Sequence, residues 1–589
     1  MKLPASVLAL FLAVLGLFFY APVLQYPFVH DDVAFIRLNP DIGRWDNIAD
    51  AFLHPGVDLG SGRVPTPYYR PVLEVLNRAQ YALFGFDAAG FHFFNVLVHV
   101  LNACLLMAVL TAAFACPAGW AFFLAAVFLL HPVQTQAVAC VSGLSNLASA
   151  FFLLVSFLSY WRTRTPGSGI FWLFLSGGSF VAALFTKESA VMLPLVIVLY
   201  ESLVGSGSRR RVPVIGLALL AGSFLVWRHA LLPGLAGQIF DLPGEWRLRL
   251  LSIPSALIND ARLIVWPVDL HYLRQIDVLA PQISPALFLT SGALLITAAL
   301  IRASDVVRRH ALFGLGWFLL FLLPHLNIAP MINEYSFVQA AEHFLYLPLF
   351  GILLVTAAFL PGLLRGVSSR IMIMAGAGLI LACGILTAGQ LPFWRSEVVL
   401  FERAVLFEPR AGRVRLLLAR AYADAGRYDE AWREYAVSLQ IMTEYVKKAG
   451  HSQGAVAVYR QFIKTIYFDR GQLLLRKGDP VGANREFLLS LRTVAPSVAG
   501  FNARAQDCRT FSFLAMNRVR AGDMTVAARY FKLALAANAA DVEALNNMGM
   551  VYLQRKNDDM ARFFFERALK VHPGFGPAWE NLKRLDIKR

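Results

Sequence analysis

Long apolar runs, broken by short basic or Pro- and Gly-containing joints, fill most of the chain up to residue 392. They lie near 5–24, 92–115, 119–133, 137–160, 170–186, 190–204, 213–232, 286–301, 311–329, 341–361 and 371–391. A helix crosses a bilayer core with about 20 apolar residues, so this pattern predicts about eleven membrane helices. The run at 190–204 is short, and His131-Pro132 interrupts the pair at 119–160. Tyr20-Ala21-Pro22 reads as a helix end at the interface. With a single preceding Lys and no small-x-small site after it, the first run is expected to be an anchor rather than a cleaved signal. Another apolar stretch, Leu250–Pro267, carries Asp260 and Arg262, which are costly at mid-membrane. It predicts a helix on the outer interface, within an outer segment 233–285.

After residue 392 the pattern changes to amphipathic repeats. Gly426, Ala431, Tyr435 and Leu439 form one copy; Gly478, Ala483, Phe487 and Leu491 the next, followed by Pro496. Gly522, Ala527, Phe531 and Leu535 form a third, and Lys556, Ala561, Phe565 and Leu569 a fourth, followed by Pro573. A turn residue, a small residue where two helices cross, then an aromatic and a Leu match the tetratricopeptide-repeat (TPR) pattern. Phe401 and Val405, before Pro409, read as a half repeat. The expected division is therefore a membrane domain at 1–392 and a TPR solenoid at 393–589. Such solenoids mostly bind peptides or partner proteins, and the repeats predict no chemistry of their own.

Composition agrees with this division: 57% of the 589 residues are hydrophobic and 16% charged, against about a quarter charged in ordinary soluble chains. The net charge of +16 invites a nucleic-acid reading. Much of the excess, however, sits in short joints, at Arg162, Arg164, Arg209, Arg210, Arg211, Arg302, Arg308, Arg309, Arg365 and Arg370. That is the positive-inside distribution, so no nucleic-acid partner is expected. With the N-terminus in the cytoplasm, these joints fall on the cytoplasmic side. Loop 25–91, segment 233–285 and the solenoid fall outside, and the expected address is a bacterial inner membrane with the TPR domain periplasmic. The five cysteines form neither a disulfide framework nor a zinc pattern.

A few polar residues stand out against this background. Asp31 and Asp32 open the outer loop. A carboxylate at the outer interface suits a general base on an acceptor hydroxyl. On an extended segment neighbouring side chains point apart, so one acid is expected to be the base and the other to orient a partner, a loop or a metal. A solvated loop start or a helix cap is the plain alternative. Lys187-Glu188 and Glu342-His343 interrupt or end apolar runs at the outer face, and Arg70 precedes Pro71. His92, Asn95, His99 and Asn102 share one helical stripe and predict a polar-packed or hydrated internal face. Arg262 and Arg274, in the outer segment, are candidates to clamp a lipid phosphate.

The order of these pieces resembles a known family. FVHDDVAFIRLNPDI at 28–42, Tyr69-Arg70-Pro71, Phe91-His92, His131-Pro132, Thr186-Lys187-Glu188, Glu342-His343-x-Leu345-Tyr346-Leu347-Pro348 and trailing repeats are similar to the transmembrane-and-tetratricopeptide-repeat O-mannosyltransferases and their bacterial relatives. The resemblance implies an all-α, GT-C-like helical membrane bundle followed by a TPR α-solenoid. It also implies transfer of mannose or another hexose from a polyprenyl-phosphate donor to a hydroxyl, with a protein or peptide Ser/Thr acceptor held by the solenoid. Asp31 and Asp32 would be catalytic. Arg70, His92, Lys187, Glu188, Arg262, Arg274, Glu342 and His343 would serve donor phosphate or substrate. No cofactor is called for beyond a possible divalent metal at the acid pair. Two positions depart from the family pattern: His343 stands where Arg is expected, and His30 where an aromatic residue is expected. The rival expectation is a noncatalytic membrane scaffold whose TPR domain recruits envelope proteins. A transporter ranks last, because the chain shows no two similar halves.

Overall fold

A computed structural model describes the chain except residues 1–3, 55–56, 59–62, 65–67, 166, 168, 206–210, 233–244, 278–283, 327–336, 450–452, 496–502 and 588–589. Arg209, Arg210, Pro496 and parts of the two outer segments therefore lie outside the described residues. The chain divides into two compact units, one ending at Pro409 and the other running from Arg410 to Arg589. The expected boundary, 392/393, falls inside the turn Leu391–Trp394. Helix Glu397–Phe407 belongs to the first unit, where Leu400, Phe401 and Ala404 are buried.

The first unit is a helical membrane bundle. Among the described residues, six helices are long and apolar enough to cross a bilayer: Ala5–Gln25, Ala88–Ala113, Val141–Arg162, Val212–Leu231, Asp305–His325 and Ser369–Trp394. Ala118–Leu130 with Pro132–Ala139 makes a seventh, bent by 50°. Three other apolar runs appear as shorter helices, Ile170–Leu184, Gly292–Arg302 and Pro348–Leu363. The run near 190–204 is the 11-residue helix Leu193–Leu203. Large apolar side chains such as Phe11, Phe18, Phe174, Val226 and Met374 are exposed on these helices, as lipid-facing positions require. The outer apolar stretch is the helix Glu245–Val265.

The bend at 131–143 dictates local architecture. Proline lacks an N–H, so the helix Ala118–Leu130 stops before Pro132 and backbone groups are released inside an apolar bundle, where each must find a partner. The polar stripe of helix Ala88–Ala113 supplies several. Asn95 donates to the carbonyls of Val138, Cys140 and Val141, and Asn102 to Leu147. His99 bridges Tyr346 and the Leu129 carbonyl. His131 Nδ1 accepts from Val133 N–H, and its Nε2 meets the Ile264 carbonyl. The stripe is thus polar-packed. Gly143 closes the bend with no room for a side chain: a Cβ there would sit 2.2 Å from the Ala137 carbonyl oxygen. Gly143→Ala is expected to cost about 1–3 kcal/mol, the usual penalty for overpacking, read as a lower melting temperature in detergent.

In the second unit, paired helices run from Gly412–Asp424 to Gly576–Ile587. Ala431, Ala483, Ala527 and Ala561 are fully buried at the helix crossings, against Tyr435, Phe487, Phe531 and Phe565. The turn positions Gly426, Gly478 and Gly522 all have positive φ, and so does Lys556, at 59°. A side chain in that left-handed region costs about 1–2 kcal/mol that glycine avoids, partly offset by glycine's freer unfolded chain. Lys556→Gly should therefore stabilise this unit by up to about 1 kcal/mol, measured as a shift in urea midpoint.

Candidate functional site

The two adjacent acids occupy opposite environments. Residues 31–32 begin a helical turn that continues as the π-helical turn Val33–Arg37; the segment is not extended, and helical rotation rather than strand alternation separates the two side chains. Asp32 is fully buried. Its carboxylate accepts from Val29 N–H at 3.3 Å, Val141 N–H at 3.2 Å and Ser142 N–H at 2.7 Å, with Cys140 Sγ at 3.4 Å. Asp32 therefore ties the segment around Val29 to the bend of the broken span. Burial pushes its pKa up to about 6, against the opposing pull of those backbone N–H donors. Asp31 is half exposed, with its carboxylate 3.3 Å from His30 Nε2.

Beside this pair lies a cluster of cations. Arg70 makes a bidentate pair with Glu188 at 2.8 and 3.1 Å and stacks over Tyr68. The Asp31 charge also acts on Arg70. Lys187 and Glu188 sit in the joint between helices Ile170–Leu184 and Leu193–Leu203. Lys187 Nζ donates to Asn146 Oδ1 and lies 5.7 Å from the Phe344 ring centre. Burial first, then the Arg70 charge, pulls the Lys187 ammonium down to about 7. Glu188 is held down at about 2, the Arg70 pair outweighing its burial. His325 stacks on Phe344 at 4.3 Å and His343 packs edge-on against the same ring. Asn146, Lys187, His325, His343, Phe344 and Tyr346 line one small cavity.

Other candidates go elsewhere. Glu342, next to His343, turns into a different cluster: it accepts from His271 N–H at 2.6 Å and lies 3.7 Å from Arg274. Arg274 and Arg262 both contact Asp269, Arg262 through two 2.9 Å bonds. These two arginines therefore already lie against a carboxylate that they share. The antiparallel pairing of Arg274–Asp277 with Phe337–Ala340 brings this segment against the Glu342 turn. His92 is buried against the backbone of Tyr26 and Pro27. Among the described residues no group of three or more His, Cys, Asp or Glu is arranged to hold a metal ion. Both Asp32 oxygens already accept from protein donors, so the acid pair does not offer a cation two open carboxylates. Asn146 and His325 were not singled out in the sequence. A lone Asn or His near an apolar run gives no signal that separates a site from helix–helix bonding.

Fold and site together define a multi-pass membrane protein with a TPR solenoid and a polar, cation-rich site beside a broken span. Residues 542–575 match the tetratricopeptide repeat family. The chain is similar to the human protein O-mannosyl-transferase TMTC1, 23% identical over 487 residues, covering 72% of this chain and 54% of that protein. Human protein O-mannosyl-transferase TMTC4 is 26% identical over 510 residues, covering 74% and 67%. The chain thus spans about half the length of the first of these relatives and two-thirds of the second. Among solved structures, ArnT from Cupriavidus metallidurans bound to undecaprenyl phosphate aligns over 84% of this chain and 90% of that one, at 14% identity and a TM-score of 0.37.

Proposed function

We propose that this chain is a membrane glycosyltransferase of GT-C type that moves a hexose from a polyprenyl-phosphate donor to a hydroxyl acceptor. The observation that carries the reading is the division of labour in the acid pair. Asp32 is consumed in holding the bend of the broken span, while Asp31 stays half exposed and its charge reaches Arg70. The similarity to named O-mannosyltransferases supports the reaction class, and a protein Ser or Thr is the acceptor that a TPR solenoid suits.

In this mechanism an Asp31 oxygen takes the proton of the acceptor hydroxyl. The oxygen attacks the anomeric carbon from the side opposite the phosphate. The bond from that carbon to the phosphate oxygen breaks, and polyprenyl phosphate leaves with the electron pair. A single displacement inverts the anomeric configuration. Lys187, with His343 and His325 around it, neutralises the leaving phosphate, while Arg70 is kept in place by Glu188. Stabilising the charge that develops on the leaving group is the larger contribution, and the base adds about 10²–10⁴-fold. The test is transfer of radiolabel from synthetic polyprenyl-phosphate mannose, and in parallel from glucose and aminosugar donors, to a Ser/Thr peptide by purified protein. Label in the peptide is expected. No transfer from any donor, together with TPR-dependent capture of an envelope protein, would sink the proposal in favour of a scaffold.

A further inference from the structure

His30 immediately precedes the acid pair and holds an uncommon backbone conformation, with φ at 54°. A non-glycine side chain is disfavoured in that region, so the conformation is held by its surroundings. Helix Glu397–Phe407 grips the residue twice: Glu397 Oε1 accepts from His30 N–H at 2.8 Å, and the Phe401 ring stands edge-on to the imidazole at 5.5 Å. On the other side Tyr272 OH meets His30 Nε2 at 2.8 Å, and the Tyr272 ring also packs edge-on, at 5.0 Å. The same Nε2 lies 3.3 Å from Asp31 Oδ1; in the tautomer that carries a hydrogen there, that one hydrogen serves both oxygens. The imidazole is thus fixed in plane and tilt, and one of its two ring nitrogens faces the exposed carboxylate.

We infer that His30 is a positioning residue for Asp31, and that Glu397, Phe401 and Tyr272 hold His30 for that task. Asp31 projects from a loop and is half exposed, so its side chain samples several rotamers unless something restrains it. Efficient proton transfer needs the carboxylate within hydrogen-bond reach of the acceptor hydroxyl. The clamped imidazole supplies the restraint, and the helix that closes the membrane unit thereby acts on the base. This role rests on the proposal that Asp31 is the base, but the contact itself can be tested without it.

Glycine suits a positive φ better than histidine does, so His30→Gly relieves the backbone while deleting the imidazole. If the residue served only the turn, this variant would transfer sugar as well as wild type. A positioning role predicts that kcat falls about 10–100-fold, the usual effect of misplacing a reacting group, with donor KM unchanged. Phe401→Leu keeps an apolar side chain and removes the ring that stands edge-on to the imidazole, and should lower kcat in the same direction by less; it also serves if His30→Gly fails to fold. A second readout is labelling of Asp31 by a water-soluble carbodiimide and glycinamide, followed by mass spectrometry at unchanged melting temperature. Faster labelling of Asp31 in the His30 or Phe401 variant supports the restraint. Wild-type kcat, or wild-type labelling, in both variants overturns it. Full activity of Asp31→Asn would remove the catalytic role of Asp31, and the labelling would still decide whether His30 restrains it.

Discussion

Asp31→Asn should lower sugar transfer by about 10²–10⁴-fold, the contribution of a general base, with no loss of thermal stability. Its side chain is half exposed, so an amide is accommodated without orphaning a buried donor. The neighbouring acid should behave in the opposite way. Asp32→Ala leaves the N–H groups of Val29, Val141 and Ser142 without their acceptor in a buried site. Each orphaned donor costs about 1–3 kcal/mol, enough to unfold a marginal protein or to loosen the floor of the site.

Asp32→Asn is a finer probe, because two terms oppose. The amide removes the cost of ionising a buried carboxyl, yet its NH2 faces backbone donors and leaves at least one unpaired. The pH dependence separates the terms. The folded-state pKa of Asp32, about 6, lies above the ordinary carboxylate value of 3.8. The fold therefore binds this proton more tightly than the unfolded chain does. The stability this group contributes is fully present below the ordinary value and is lost as pH rises through about 6. Asn cannot follow that loss. The stability difference between Asp32→Asn and wild type should move in favour of the variant between about pH 4 and pH 7, measured by unfolding in detergent at each pH. A difference that stays flat would show that Asp32 is not the buried acid described here. Wild-type transfer by Asp31→Asn would mean that the base is another group.

The contrast shows how much a linear chain reveals. The solenoid is legible because its information is local. A turn residue, a small residue five positions on and an aromatic four further recur in order, and the structure puts Gly426, Gly478, Gly522 and Lys556 in the same left-handed turn. The polar stripe His92, Asn95, His99 and Asn102 is legible for a similar reason, since helical spacing places it on one face. The site is less so. Glu342 and His343 are neighbours in sequence, but a tight 3-10 turn, Glu342–Leu345, sends them into different clusters. Arg262 and Arg274 read as available cations until the fold brings both to Asp269. That shared contact depends on a backbone path that no spacing rule encodes. Asn146 and His325 join Lys187 only because three separate segments meet at one cavity.

Lys187 carries the second large prediction. Its ammonium is held near pKa 7 by burial and by Arg70, so the charge that would meet the donor phosphate is present below neutrality and lost above it. Binding a phosphate restores the charged form by supplying an opposite charge nearby. Donor KM should therefore rise with pH above about 7, by at most about tenfold per unit, because one proton is taken up on binding. Lys187→Arg keeps a cation at every accessible pH. It should flatten that rise, even if the larger guanidinium lowers kcat by disturbing Asn146 and Phe344. Lys187→Met deletes the charge and should raise donor KM about 10–100-fold at pH 6, as expected for losing a charge-assisted hydrogen bond of about 1.5–3 kcal/mol. At pH 9, where the wild-type lysine is itself mostly neutral, the gap between Met and Lys should shrink. The decisive measurement is donor KM for wild type and both variants from pH 6 to pH 9. If all three profiles run parallel, the lysine does not bind the phosphate, and the short bond to Asn146 is helix packing. If the wild-type and Met curves converge while the Arg curve stays flat, the donor phosphate sits against Lys187.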